Sequence, residues 1–74
     1  MTEEEQFILD FLKESPDSYF ARKEIARKAV KRTLYEKNPR WVELPLASLV
    51  AKDEVEMNEG GHYRLNTGNE FRRS

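Results

Sequence analysis

Apolar positions near the start of the chain recur at the three- and four-residue spacing of one helix face. The positions on this face are Phe7, Ile8, Phe11 and Leu12. Thr2 and Glu5 in front of them match a capping box, in which each side chain accepts a hydrogen bond from the other residue's backbone amide. Pro16 disfavours helical backbone at the residue before it. The pattern therefore predicts a first helix over about residues 3–14.

A second helix is predicted from about Ala21 to Tyr35, after a short aromatic segment, Ser18-Tyr19-Phe20, that suits extended backbone. On a helical wheel its apolar face consists of Ile25, Ala26, Ala29 and Thr33. The opposite face consists of Lys23, Arg27 and Lys31, at positions i, i+4 and i+8. Ala21 stands at the N-cap position, where Ser, Thr, Asp or Asn is preferred, so half of a capping box is missing.

A third helix is predicted to start at Asn38-Pro39, because asparagine is a good cap and proline suits the first helical position. It should run to about Lys52. Its buried positions are expected to be Val42, Leu46, Leu49 and Val50. Pro45 removes a backbone donor and clashes with the preceding turn. The helix is therefore either kinked at Pro45 or begins there, and the sequence leaves both possibilities open.

Residues 53–65 alternate between apolar and polar positions around the turn Asn58-Glu59-Gly60-Gly61, which predicts a two-stranded antiparallel β-hairpin. The apolar positions are Val55, Met57, Tyr63 and Leu65. We therefore expect one α+β domain over residues 1–66, three helices followed by the hairpin, and a flexible C-terminal tail over residues 67–74. One residue from each element should meet in the core, namely Phe11, Ile25, Leu49 and Tyr63.

Three segments together resemble the winged helix-turn-helix superfamily. They are Tyr19-Phe20-Ala21-Arg22-Lys23-Glu24-Ile25-Ala26, Leu46 to Val50 running into Val55-Glu56, and Gly61-His62-Tyr63-Arg64-Leu65. The resemblance covers roughly residues 5–65 and implies a small winged helix, in which the hairpin is the wing. It implies either DNA binding or protein interaction, because the superfamily includes both. The connection between the second and third helices is longer than the usual turn, and Asp53-Glu54 stands where glycine is common before the wing.

The net charge of −1 conceals an uneven distribution along the chain. Residues 1–20 carry six acidic and one basic side chain, residues 21–40 carry two acidic and eight basic, and residues 41–60 carry five acidic and one basic. A basic segment between acidic flanks is typical of a surface that binds a polyanion. A solvated helix face gives the same pattern, so charge alone does not decide between the two.

The basic middle segment favours binding to double-stranded DNA through phosphates, by a protein that resembles a small transcription regulator. The sequence leaves its oligomeric state open, with a homodimer as one alternative. The contacts are expected on the second helix and at the start and end of the third. The candidate nucleic-acid-binding residues are Arg22, Lys23, Arg27, Lys28, Lys31, Arg40, Ser48 and Lys52. The wing does not add to this interface, because Glu54, Glu56 and Glu59 would be repelled by phosphate.

The third helix favours an alternative function. Its outward positions offer few of the side chains that read bases. Trp41 and Leu44 instead resemble the apolar anchor of a protein interface. The alternative is an adaptor or dimerisation module that uses this surface to pair with itself or with another protein and binds no nucleic acid. Trp41 could equally fold back onto the first helix and enlarge the core.

The residues needed for catalysis or metal binding are few. The chain has one histidine, His62, and no cysteine, so we expect no metal site. Gly60-Gly61 is not followed by the helix and Lys-Ser/Thr of a phosphate loop. We therefore expect neither an enzyme nor a cofactor. The chain has no apolar run near ~20 residues and its start is acidic where a signal peptide is basic, so a cytoplasmic protein without a membrane partner is expected.

Overall fold

The computed structural model describes residues 2–66. The flexible tail that we predicted for residues 67–74 lies outside them. Helices and strands follow one another in this part of the chain as α1 (Glu3–Lys13), β1 (Phe20–Ala21), α2 (Arg22–Lys28), α3 (Arg32–Lys37), α4 (Glu43–Ala51), β2 (Val55–Met57) and β3 (His62–Leu65). The small α+β domain is confirmed, and residues 2–66 contain one helix and one strand more than we expected.

α1 begins with the predicted capping box. The Thr2 hydroxyl accepts from the Glu5 amide at 3.2 Å, and the Glu5 carboxylate accepts from the Thr2 amide at 2.8 Å. The helix ends at Lys13, close to the predicted end. Two of its stripe positions, Ile8 and Leu12, are fully buried, and Leu9 joins them in the core. The local pattern therefore placed this helix and two of its four buried residues, Ile8 and Leu12.

The single second helix that we predicted from Ala21 to Tyr35 is wrong, because the chain breaks between α2 and α3. Lys31 has extended backbone (φ −65°, ψ 149°) and is the N-cap of α3. In one continuous helix Val30 would lie roughly 140° away from Ile25 and so point off the apolar face. The break allows Val30 to pack against the core with Ile25. Packing of Val30 against the core therefore disfavours one continuous helix over this segment.

α4 begins at Glu43, two residues before Pro45, so the helix is not kinked at this proline. Pro45 lies in the first turn, where backbone amides have no partner within the helix, so the missing donor costs nothing there. The possibility that the helix begins near Pro45 is confirmed. The predicted start at Asn38-Pro39 is wrong, since Asn38 is instead the C-cap of α3.

Trp41 lies in the turns between α3 and α4 and is only 7 % exposed. Its indole Nε1 donates to the backbone carbonyl of Ala26 at 2.9 Å. Its ring meets the edge of Phe7, with centroids 6.4 Å apart. The possibility that Trp41 folds back onto the first helix is confirmed. The apolar surface that it was expected to share with Leu44 does not form, because burial of the indole removes it from solvent.

The sheet is antiparallel, with the strand order β1-β3-β2. The predicted hairpin is confirmed, with Val55 opposite Leu65 and Met57 opposite Tyr63. Phe20 in β1 pairs with Tyr63 from the other side. The aromatic segment that suited extended backbone therefore ends in an edge strand. Its pairing partner is distant in sequence, which is why a local pattern did not reveal a third strand.

The core lies where α1, α2, α4 and the sheet meet. Its buried residues are Ile8, Leu9, Leu12, Ile25, Ala26, Trp41, Val42, Leu46, Leu49 and Val55. Of the four residues predicted to meet there, Ile25 and Leu49 are fully buried. Phe11 and Tyr63 are half-buried and pack against the edge of the core. Val50 is likewise half-buried, so the predicted buried face of the third helix is confirmed at its other three positions.

α4 ends in a Schellman motif. The Glu54 amide donates to the Leu49 carbonyl at 3.0 Å, and the Asp53 amide donates to the Val50 carbonyl at 3.1 Å. Asp53 has φ 62°, the left-handed conformation that this motif requires. This is the position where the family resemblance led us to expect glycine. The structure keeps the glycine-like backbone although an aspartate occupies it.

Candidate nucleic-acid interface

Three basic side chains of α2 are exposed to solvent. Arg22, Lys23 and Arg27 lie on its outer side, and within residues 2–66 none of them forms an ion pair with an acid. Lys28 is also exposed, but its ammonium pairs with Glu24 at 3.2 Å. The outer side of α2 therefore carries three positive charges that are not neutralised by neighbouring carboxylates.

Cations from two elements converge on one depression of the surface. Arg22 and Lys23 of α2 line it from one side, and Arg40, from the turn before α4, lines it from the other. The depression measures about 310 Å³. The other lining residues are Ala26, Tyr35, Pro39, Val42 and Glu43. Three cations around one concave surface attract an anion, because their fields add there.

The long connection between α3 and α4 is what brings Arg40 to this position. Arg40 is 87 % exposed, and its guanidinium lies 3.8 Å from the Glu43 carboxylate. This ion pair is long and solvated, so it offsets little of the charge of Arg40. The departure from the usual short turn therefore adds a cation to the surface of α2. The sequence singled out Arg40 but gave no sign of the residues that it meets.

Lys31 does not continue the row of Lys23 and Arg27 that the wheel predicted. α2 ends at Lys28, and Lys31 is the extended N-cap of the next helix. The expected spacing of i, i+4 and i+8 on one helix is therefore wrong for Lys31. Its side chain remains exposed.

Ser48 and Lys52 lie near the buried Glu5 carboxylate of α1. The Lys52 ammonium donates to the Glu5 carboxylate at 3.0 Å. Hydrogen bonds from the Thr2 amide, then from Lys52 and Ser48, lower the pKa of Glu5 from 4.5 to about 2. The sequence showed the role of Glu5 in the capping box, but not its burial or its partners on α4. Two expected DNA contacts thus belong to the contact between α1 and α4.

The arginine of the hairpin, Arg64, makes its contacts within the sheet and with Tyr19. The Arg64 guanidinium donates to the Glu56 carboxylate, with its Nε at 2.7 Å, and covers the ring of Tyr19 at 4.6 Å from the centroid. Glu59 and His62 are exposed beside the turn. An exposed acid at this turn repels phosphate, so the turn of the hairpin is unfavourable for anion binding.

The outward side of α4 is apolar. Leu44 is 84 % exposed, and Ala47 and Ala51 are exposed with it. A second depression of about 270 Å³ runs between α4 and the hairpin. Its lining residues are Arg22, Glu43, Leu46, Ala47, Val50, Met57 and Tyr63. Of the two residues that the sequence suggested for an apolar interface, Leu44 is exposed and Trp41 is buried.

Two further properties concern residues 2–66 as a whole. No group of three or more histidine and carboxylate side chains in this range is placed to hold a metal ion. None of the helices described is long and apolar enough to cross a membrane.

Comparison of the chain with protein-family models, with curated proteins and with solved structures found no match. Its function is therefore inferred from the side chains and surfaces described above.

Proposed function

We propose that this chain is a winged-helix domain that binds double-stranded DNA through the phosphate backbone. The observation that carries the proposal is the convergence of Arg22, Lys23 and Arg40 on one depression. Arg27 is exposed on the same short helix and extends the positive surface. Phosphate groups are the anions that a duplex presents at regular spacing, so a cluster of solvated cations suits them.

The arrangement of helices and strands supports the winged-helix part of the proposal. A first helix, a short strand, further helices and a final hairpin follow one another, and the short strand pairs with the second strand of the hairpin. α3 lies between α2 and α4, which a short turn would join in the usual helix-turn-helix motif. The extra helix is therefore an insertion that leaves the order of the other elements intact.

The expected binding is electrostatic and sensitive to salt. Each phosphate neutralised releases condensed counterions, so log K falls with log salt concentration by about 0.9 per contact. The chain as a whole has a net charge of −1, so the attraction comes from this local surface and falls off over about 10 Å at 0.1 M salt. We therefore expect weak binding that is easily measured only at low salt.

The test is a titration of a short fluorescent DNA duplex at about 50 and 200 mM salt, followed by anisotropy. The double variant Lys23→Gln/Arg40→Gln removes two cations of the depression. The control variant Lys13→Gln/Arg32→Gln removes the same charge from exposed positions that do not line it. Arg32 and Arg40 are matched closely, because they are 89 % and 87 % exposed and each lies near one glutamate.

The first double variant should bind more weakly and reduce the salt slope by up to about 1.8, whereas the control should stay near the parent. Equal losses in both variants would mean that overall charge, and not the depression, determines binding. A parent protein that binds no duplex at low salt would disprove the proposal.

A second candidate function, pairing with itself or with another protein, is favoured by one observation. Leu44 is 84 % exposed, next to the exposed Ala47 on the same face of α4. A contiguous exposed apolar patch is a feature of protein interaction sites. Sedimentation of the parent and of Leu44→Ala over a range of concentrations tests self-association. A parent that remains monomeric at high concentration would remove the dimer from consideration.

A further inference from the structure

The outward face of α4 is poor in groups that recognise bases. Its exposed positions are Glu43, Leu44, Ala47 and Ala51. Base edges in the major groove are read mainly by Arg, Lys, Asn and Gln, and less often by Ser, Thr or an acid. Leucine and alanine have no hydrogen-bonding side chain, and Glu43 lies beside Arg40 at 3.8 Å. This face therefore offers apolar contact but little hydrogen bonding to bases.

The polar residues toward the end of α4 lie beside a buried carboxylate of α1. Lys52 donates to the Glu5 carboxylate, which is buried, and Ser48 contributes to the lowered pKa of that carboxylate. Redirecting either side chain to a base would remove a partner from that carboxylate. A buried charge that loses its partners is strongly unfavourable. The contact between α1 and α4 therefore competes directly with base recognition and keeps both groups away from a ligand.

The exposed cations that we propose as phosphate contacts lie on other elements. Arg22, Lys23 and Arg27 belong to α2, and Arg40 belongs to the turn before α4. Phosphate contacts fix a duplex on a protein without carrying sequence information, which comes from contacts to base edges. The cations that would bind phosphates therefore lie on different elements from α4, the helix that would contact the bases.

We infer that this domain binds duplex DNA without preference for base sequence. Arg22, Lys23 and Arg40 hold phosphates, and no side chain of α4 reads a base. The inference rests on the proposed function and names its ligand more closely, as the phosphate backbone of any duplex.

The first experiment is a competition between A·T-rich and G·C-rich duplexes of equal length, together with selection from a pool of randomised duplexes. Both duplexes carry the same phosphate charge, so their affinities should agree within about threefold, whereas sequence-specific proteins discriminate by about 10³-fold or more. The selection should enrich no motif. An enriched motif, or a preference above about tenfold, would overturn sequence independence while leaving DNA binding intact. Failure to bind any duplex would instead disprove the proposed function, and this inference with it.

The second experiment tests α4 directly by means of Ser48→Ala. This variant should bind duplex with the affinity of the parent, because Ser48 serves Glu5 and not a base. Arg40→Gln, measured beside it, should weaken binding to every duplex to the same degree. Thermal melting of each variant shows that it is folded under the conditions of the titration. A loss of affinity in a folded Ser48→Ala variant would overturn the inference.

Discussion

The carboxylate of Glu5 and the ammonium of Lys52 lie 3.0 Å apart and join the first turn of α1 to the end of α4. The two side chains differ sharply in exposure, at 4 % for Glu5 and 49 % for Lys52. The glutamate is thus a buried charge that depends on its partners, and the lysine is a surface group that reaches it. Removing Lys52 costs more than removing an exposed ion pair, because the carboxylate stays buried.

The stability of the domain should depend on the protonation of Glu5. Its folded pKa of about 2 lies below its ordinary value of 4.5, so protons bind more weakly to the folded state than to the unfolded chain. Its contribution is therefore complete above about pH 5 and is lost as the pH falls toward about 2. The melting temperature of the parent should drop steeply over this window.

The variant Glu5→Gln isolates this effect. It should melt below the parent at neutral pH, and the difference should shrink as the pH falls toward about 2, because the parent loses the same charge there. Glu4→Gln is the matched control, since Glu4 is the exposed neighbour and should keep the steep dependence of the parent. Melting curves recorded by circular dichroism from about pH 7 to 2 test this. An unchanged difference between the parent and Glu5→Gln at all pH values would contradict it.

Trp41 should be required for stability, in contrast to Leu44. Trp41→Phe removes the hydrogen bond to the Ala26 carbonyl and part of a buried ring, and should cost about 1–3 kcal/mol. Leu44→Ala should change the free energy of unfolding by less than about 0.5 kcal/mol, because the side chain is 84 % exposed. Urea unfolding followed by circular dichroism gives both values without using tryptophan fluorescence. Equal effects of the two changes would show that the turn before α4 is packed differently.

The left-handed backbone at Asp53 should favour glycine. We compare Asp53→Gly with Asp53→Ala, because both remove the carboxylate and only alanine keeps a Cβ at φ 62°. The glycine variant should be more stable than the alanine variant by about 1 kcal/mol.

Inside α4, in contrast, alanine should be more stabilising than glycine. Ala47→Gly places glycine at an exposed helical position and should destabilise the domain by about 0.8–1.0 kcal/mol. Chemical denaturation of the four proteins gives both differences. If Asp53→Ala is as stable as Asp53→Gly, the backbone after α4 is not left-handed in solution.

Serine at position 21 should stabilise α2. Ala21 has the extended backbone of an N-cap (φ −68°, ψ 152°) but makes no capping hydrogen bond, while Glu24 stands at the position that completes a capping box. Ala21→Ser should raise the free energy of unfolding by about 0.5–2 kcal/mol. Ala29→Ser, at the other end of the same helix, supplies no cap and should give no gain. A thermal midpoint for Ala21→Ser at or below that of the parent would count against this cap.

The sequence by itself determined the elements whose signals are local. The capping box of Thr2 and Glu5 and the stripe behind it fixed α1, and the alternation around Asn58–Gly61 fixed the hairpin. Contacts within a few residues stabilise such elements, so the residue pattern contains the necessary information. The exposure of Lys23 and Arg27 on α2 was predictable for the same reason.

Tertiary structure decided the features that depend on residues far apart in the chain. The predicted second helix is broken where Val30 packs against the core, and Trp41 is buried with a hydrogen bond to the Ala26 carbonyl. Glu5 accepts a hydrogen bond from Lys52, 47 positions away in the chain. The turn before α4 places Arg40 at the same depression as Arg22. In each case packing or the burial of a charge outweighs the local conformational preference of the chain. The residues that make these contacts come together only when the chain is folded, so the sequence pattern does not show them.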